Sequence, residues 1–390
     1  MNRSVRSEVL HSTTLHVAPG TLAVARSFTH PTRGLVDCPA HHLLTARARQ
    51  AGLVADSPSL PDTDLRDTLP EAPTTVFAVS YEKPDGGNHG LALAVNSHDP
   101  ATIAFARREI ESWQGVLRTR RVLYVIAPTT GGAVDGTRAP GSPVPSQTSD
   151  SPHGSWQPCG CPTVVPCPAP GNARRALRRF LDRGDEVVVV GGPVAGAGTW
   201  PVQALGESAV LVRTPQEAEC LTVTDPDRLA FVVAPGAAAS QVAEILRVLR
   251  RRCPRLRGQH PQEWCYTMDD LHTVVASSLA QSDALLITGR ASAPAVRAAI
   301  AQAVSAGVRV RDVTELANLR PGDIDGATIT LLDATSDGRG RREVGQALHG
   351  LGPASHVHRE VRSSFHPPHD ADRRTPRDEP LATAARHDRR

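Results

Sequence analysis

Aromatic residues are scarce in this chain, at 3% of 390 residues, so any core must be built mainly from Ala, Val and Leu. Lysine is scarcer still. Lys83 is the one lysine, and the remaining positive charge is arginine, which reads as a codon bias and not as phosphate recognition. Neither sign of charge dominates: 43 basic residues stand against 40 acidic ones, which argues against a dedicated nucleic-acid binder. No apolar run reaches the roughly 18 residues of a membrane span. Met1–Gly20 lacks the apolar segment of a secretory signal, so a cytoplasmic protein without membrane contact is expected. There is also no glycine-rich dinucleotide fingerprint. Gly191–Thr199 (GGPVAGAGT) follows a strand-like run but has neither GxGxxG nor GK[ST], and reads as a plain turn.

What is present is a chain long enough for two or three domains, with 40% hydrophobic residues. Helix-like patterns cover Pro39–Gly52 and Pro100–Trp113, and strand-like runs cover Thr75–Ser80 and Val122–Ala127. From residue 172 the alternation is regular. Helices are predicted at 172–183, from 215, and at 239–251, 269–281, 293–306 and 342–351. Strands are predicted at 186–190, 209–212, 229–234, 284–288, 308–313 and 328–332. Short apolar strands between helices imply an α/β fold of parallel sheets flanked by helices. The composition divides the chain into a divergent N-terminal α/β lobe (1–127), a flexible Gly/Pro/Ser-rich insertion (128–158), a second α/β region (159–352), and a tail (353–390) too poor in apolar residues to fold.

Seven cysteines in a reducing compartment are an improbable disulfide framework. Ordinary buried thiols and metal or cluster ligation both remain open for them. Cys159, Cys161 and Cys167, with C-G-C-P-x4-C spacing and His153 nearby, form a weak zinc pattern without a second C-x-x-C. His41, His42 and the tail histidines read as adventitious metal binders.

Two cysteine segments flank the regular region: Cys161-Pro162 and Trp264-Cys265-Tyr266-Thr267, 104 residues apart from Cys161 to Cys265. The run from Arg247 through WCYTMDDLH (264–272), ALLITGRASAP (284–294) and Val308–Thr335 resembles the C-terminal half of the LytB family, the 4-hydroxy-3-methylbut-2-enyl diphosphate reductases. Cys161-Pro162 resembles that family's D-A-T-C-P segment, and Cys265 its C-Y-A-T segment. The resemblance covers roughly residues 159–351. It implies pseudo-symmetric α/β lobes and a 4Fe-4S cluster held by three cysteine thiolates. It further implies an allylic diphosphate substrate that is reductively dehydroxylated, and an electron donor such as ferredoxin or flavodoxin. On this resemblance the cluster ligands are expected at Cys161 and Cys265, with Cys38 as the third. Val36–Pro39 (VDCP) faintly echoes the D-A-T-C-P segment, and His41 would then stand for a substrate-binding histidine. Ser292, Ser336 and Arg290 are expected to meet the diphosphate, at or near helix N-termini.

The departures from the family are substantial. Where the family's first cysteine is expected, in APTTGGAV (127–134), Gly132 stands. The G-H-x-x-H-P-E segment corresponds to GGPVAGAGT, without histidine or glutamate, and a proton relay needs a titratable group. T-Q-T-T is Val233–Gly236, and A-T-x-N-R-Q is Thr267–His272. Two readings follow: a LytB-type iron–sulfur reductase, or a degenerate paralogue that keeps the scaffold and binds a diphosphate or a partner without the reaction.

Overall fold

The computed structural model of the chain describes residues 5–60, 64–68, 71–126, 168–192, 209–289, 294–334 and 338–361. The first lobe holds β1 (Arg6–Ser12), β2 (Thr21–Val24), β3 (Ser27–His30), β4 (Gly34–Asp37), α1 (His41–Gln50), β5 (Val54–Asp56), β6 (Ser59–Leu60), β7 (Leu65–Arg66), β8 (Thr74–Glu82), β9 (Asn88–Asn96) and α2 (Pro100–Gln114). Its strands form one mixed sheet, β6-β3-β4-β9-β8-β1-β7, with β2 pairing both β9 and β5. At its centre β8 and β9 form an antiparallel hairpin from Thr74↔Asn96 to Glu82↔Asn88. Both strands are buried on both faces. Phe77, Val79 and Tyr81 enter a core shared with the rest of the molecule, while Val76 and Ala78 enter a separate outer core. This divergent lobe is a mixed sheet, since tight turns such as Lys83–Gly87 join only antiparallel neighbours.

The chain then passes through β10 (Arg120–Ile126) to the middle lobe: α3 (Ala169–Leu181), β11 (Glu186–Val190), β12 (Ala209–Val212), α4 (Pro215–Cys220), β13 (Leu229–Val233), α5 (Ala239–Arg252) and β14 (Arg257–Gly258). These strands form a wholly parallel sheet, β12-β11-β13-β14. The last lobe adds α6 (Thr267–Leu279), β15 (Ala284–Gly289), α7 (Pro294–Ser305), β16 (Arg309–Asp312), β17 (Thr328–Ala334), α8 (Arg339–His349) and β18 (Ala354–Glu360). Its sheet is also parallel, β16-β15-β17-β10-β18.

Two expected boundaries shift. β10 was grouped by sequence with residues 1–127, yet it is an interior strand of the last lobe's sheet. Its apolar run is the mark of a strand covered on both faces. The tail expected from residue 353 begins instead with β18, which completes the open edge of β10. ASHVHRE has no apolar run because an edge strand is covered on one side only. The insertion at 128–158 and the rest of the tail lie outside the described residues. Among the described residues no helix is long and apolar enough to cross a membrane.

The first and last lobes share one core, where α1, α2, β8 and β9 meet β10, β17 and α8. A polar strut crosses the seam. Arg47 donates to both oxygens of the buried Glu109 at 2.6 and 2.9 Å. Its remaining nitrogen reaches the carbonyls of Ala317 and Leu319 at 3.3 and 3.1 Å. Glu109 also accepts from the Trp113 indole at 3.1 Å. In the same lobe His89 is buried, with its ring 6.0 Å from Tyr81 and 5.1 Å from His349. Burial holds the His89 imidazolium pKa below its ordinary value, helped by Lys83 and His349. Burial likewise lowers His41, His272, His356 and His358.

Two outcomes follow. Arg47→Ala leaves the Glu109 carboxylate buried and uncompensated, and should cost about 3 kcal/mol in denaturant unfolding; a change near zero would remove the strut's structural role. The histidines bind protons more readily unfolded than folded. Stability should therefore be full above about pH 7 and fall as pH drops through the ordinary histidine range near 6.5. His89→Gln should flatten that fall in the urea midpoint, and an unchanged slope would assign it elsewhere.

Candidate functional site

Parallel sheets leave a crevice beyond the carboxyl ends of their strands, where the next helices begin. In this chain the two parallel sheets meet at such ends. Ala238, which precedes α5, packs with Met268 and Leu271 of α6. That same core takes Val125 of β10, Ile287 of β15, Leu332 of β17 and Val361. The N-terminal ends of α5 and α6 are tied together: Asp269 accepts from the Ser240 amide at 3.1 and 3.2 Å and from its hydroxyl at 2.6 Å. Gly191, at the end of β11, turns the chain with φ +81°, and a Cβ there would lie 2.6 Å from that of Ala237. Only glycine allows this close approach.

Cys265 sits at this joint, buried, immediately before α6. Its neighbours fix the segment. Trp264 donates its indole N–H to the Gln259 carbonyl at 3.2 Å and meets Phe231 edge-on. Tyr266 stacks on Trp264 and bonds the Pro261 carbonyl. About two turns on, His272 is half-buried, and its Nε2 has no hydrogen-bond partner among the described residues.

A second constellation lies at the ends of β15 and β17. The Thr288 hydroxyl donates to the Asp333 carboxylate at 2.8 Å, and both side chains are buried. The first turn of α8 presses on them, since a Cβ on Gly340 would lie 2.6 Å from that of Thr288. That turn carries Arg339, Arg341 and Arg342. It has no acidic residue, and Gly338 precedes it without a capping side chain. Arg339 pairs with Glu343 at 2.7 Å. Arg341 acts on Tyr124, whose phenol burial pushes up to about 12 against this charge, and on His358, whose lowering it reinforces.

The site residues expected from sequence are distributed unevenly over this geometry. Cys265 is at the joint. Cys161, Arg290, Ser292 and Ser336 lie outside the described residues; in chain order Arg290 and Ser292 follow β15, and Ser336 follows β17. Cys38 does not join Cys265. It lies in the outer core with Phe28, Val36, Val76 and Ala78, on the face of the first sheet opposite the core shared with the last lobe. Burial, with Asp37 nearby, pushes its thiol pKa far up, which disfavours the thiolate. His41 opens α1, where its Nδ1–H donates to the Cys38 carbonyl at 2.9 Å. Ala40 beside it packs against Gly350, past the C-terminal end of α8. The α8 rise puts that end about 16 Å from the arginine turn. A cluster needs several thiolates on one point. Among the described residues, no three His, Cys, Asp or Glu side chains are disposed to hold a metal ion, so the described residues do not fit the three-thiolate site expected through Cys38. Sequence reasoning missed the Thr288–Asp333 pair and the arginine turn. The signal was available: three arginines opening a helix run against its dipole.

No protein-family model matches the chain. It is similar to curated proteins named 4-hydroxy-3-methylbut-2-enyl diphosphate reductase. One from Roseobacter denitrificans is 25% identical over 211 residues, covering 49% of this chain and 65% of the relative. One from Phenylobacterium zucineum is 29% identical over 164 residues, covering 41% and 48%. The chain thus spans about two-thirds or less of the length of these relatives. Among solved structures, the corresponding reductase from Plasmodium falciparum aligns with TM-score 0.40 and 11% identity, over 50% of this chain and 63% of that one.

The joint itself is testable. Asp269→Ala removes the acceptor shared by the Ser240 amide and hydroxyl. It should cost about 1–2 kcal/mol in denaturant unfolding, and Asp269→Asn should recover part of that loss. Equal stability of all three proteins would show that the α5–α6 tie carries no energy.

Proposed function

We propose that this chain, a divergent relative of the 4-hydroxy-3-methylbut-2-enyl diphosphate reductases, binds an allylic diphosphate at the carboxyl ends of its parallel strands and does not reduce it. The observation that carries this reading is the first turn of α8. Arginines beside the positive end of a helix each oppose the helix dipole by about 0.3–1 kcal/mol. Here Arg339, Arg341 and Arg342 crowd one uncapped turn beyond the end of β17. A diphosphate reverses that cost, accepting from the helix amides and from planar guanidinium donors together. Two features speak against the relatives' chemistry. GGPVAGAGT (191–199) contains no histidine or glutamate to deliver a proton. Cys38 lies in the outer core of the first sheet, apart from the segment of Cys265.

A second reading, a reductase with a 4Fe-4S cluster fed by ferredoxin or flavodoxin, is favoured by one feature. Cys265 precedes the first turn of α6, where a helix N-terminus favours the thiolate. Cys161 and Cys265 would hold the cluster, which when bound would supply the electrons for removing the allylic hydroxyl.

The wild-type chain should bind 4-hydroxy-3-methylbut-2-enyl diphosphate in calorimetry. Arg341→Ala/Arg342→Ala should weaken binding by at least about tenfold, the scale of one charged hydrogen bond. Unchanged affinity in that variant would sink the binding reading. After anaerobic reconstitution with iron and sulfide the protein should stay colourless. A brown protein with about four irons per chain, lost in Cys265→Ser, would establish the second reading instead.

A further inference from the structure

A cleft of about 400 Å³ opens where the first lobe meets the last, lined by Arg47, Arg108 and Ser112 on one side and by Asn318 and Arg320 on the other. It shares no residue with the strand-end crevice. Its floor is the Arg47–Glu109 strut. Both Glu109 oxygens are spent, on Arg47 and on Trp113, and among the described residues Glu109 is the one acidic residue lining the cleft. Asp323, nearby in sequence, accepts from the Arg320 amide at 2.8 Å and pairs with Arg311 at 3.2 Å. The Ser112 hydroxyl donates to the Glu109 carbonyl at 2.9 Å, and the Asn318 oxygen accepts from Gln50 at 3.1 Å. What the cleft presents inward is therefore chiefly donors: the guanidiniums of Arg108 and Arg320, and the Asn318 amide N–H groups. Arg108 is braced on the Phe105 ring at 5.7 Å, and neither arginine forms an ion pair among the described residues.

We propose that this cleft binds a small phosphorylated molecule, whose phosphoryl oxygens accept from Arg108 and Arg320 and so clamp the first lobe to the last. The chemistry is that of an acceptor-only dianion on guanidinium donors. The cleft has room beyond a bare phosphate for an organic portion. Since α1 and α2 supply one wall and residues 317–321 the other, an occupied cleft resists separation of the two lobes.

The test uses the full chain with inorganic pyrophosphate as probe, followed by calorimetry and thermal unfolding. Pyrophosphate also suits the strand-end crevice, so two variants separate the sites. Wild type should show two binding events. Arg108→Ala/Arg320→Ala should lose one of them, with affinity reduced by at least about tenfold, while Arg341→Ala/Arg342→Ala should lose the other. Arg108 and Arg320 are exposed, so the first variant should keep the wild-type circular dichroism spectrum. Two events retained in Arg108→Ala/Arg320→Ala, or a single wild-type event lost only with Arg341 and Arg342, would overturn the cleft and leave the strand-end reading standing. A single wild-type event lost with Arg108 and Arg320 would do the reverse. No binding at all would overturn both. Succinate in place of pyrophosphate should bind at least about tenfold more weakly to the cleft; equal affinity would overturn its phosphoryl preference.

Discussion

The architecture depends on one strand pairing. β10 lies between β17 and β18, with Val122 opposite both Ile329 and His356. Its alternating side chains reach two cores: Val122 and Tyr124 face the first lobe, and Val125 faces α6. Remove β10 and the last sheet splits, since β18 has no other neighbour among the described residues. The seam with the first lobe would also lose its far wall. The Thr288–Asp333 contact and the α8 turn lie along β17, the strand that this pairing joins to the rest of the sheet.

Around that strand, charge is placed in two ways. At the seam, Arg47 and Glu109 neutralise each other away from water. A buried pair of this kind sets geometry more than it adds stability, and here it fixes how α1 stands against α2 and residues 317–319. At the end of β17 charge of one sign is concentrated in a single turn. Arg339, Arg341 and Arg342 share the first turn of α8, close to the buried Asp333 and with Arg339 paired to Glu343. Each of these guanidiniums stands against the positive end of the helix dipole.

Much of the two parallel sheets was legible in the sequence, because strands covered on both faces must be apolar without interruption. EVVVV and AVLV emerge as β11 and β12 with the bounds expected. β1 to β4 and β18 were not legible, since short or half-covered strands alternate too briefly to stand out from loops. The placing of Cys38 was hidden for the same reason. Val36 and Cys38 point to one face and Asp37 to the other, but that parity appears only once β4 is known to be a strand. VDCP only faintly echoes a cluster segment, and its thiol turns into a core. At the site, Cys265 was found through the segment around it. The arginine turn was hidden because α8 was expected to open at Arg342, which left Arg339 and Arg341 in a loop. They open the helix because Gly338 takes the left-handed conformation that starts it.

The path of β10 also governs the order in which the protein is made. The middle lobe draws all its strands from one continuous stretch, β11 to β14, so it can close on the ribosome soon after that stretch emerges. The last sheet cannot. Its interior strand is synthesised some 230 residues before the edge strand that covers it. A strand this apolar must therefore wait, unpaired on at least one edge, while the intervening lobe is built. The nascent chain is most exposed to misassembly and to chaperones during that interval, and the final strand, by arriving last, ends it.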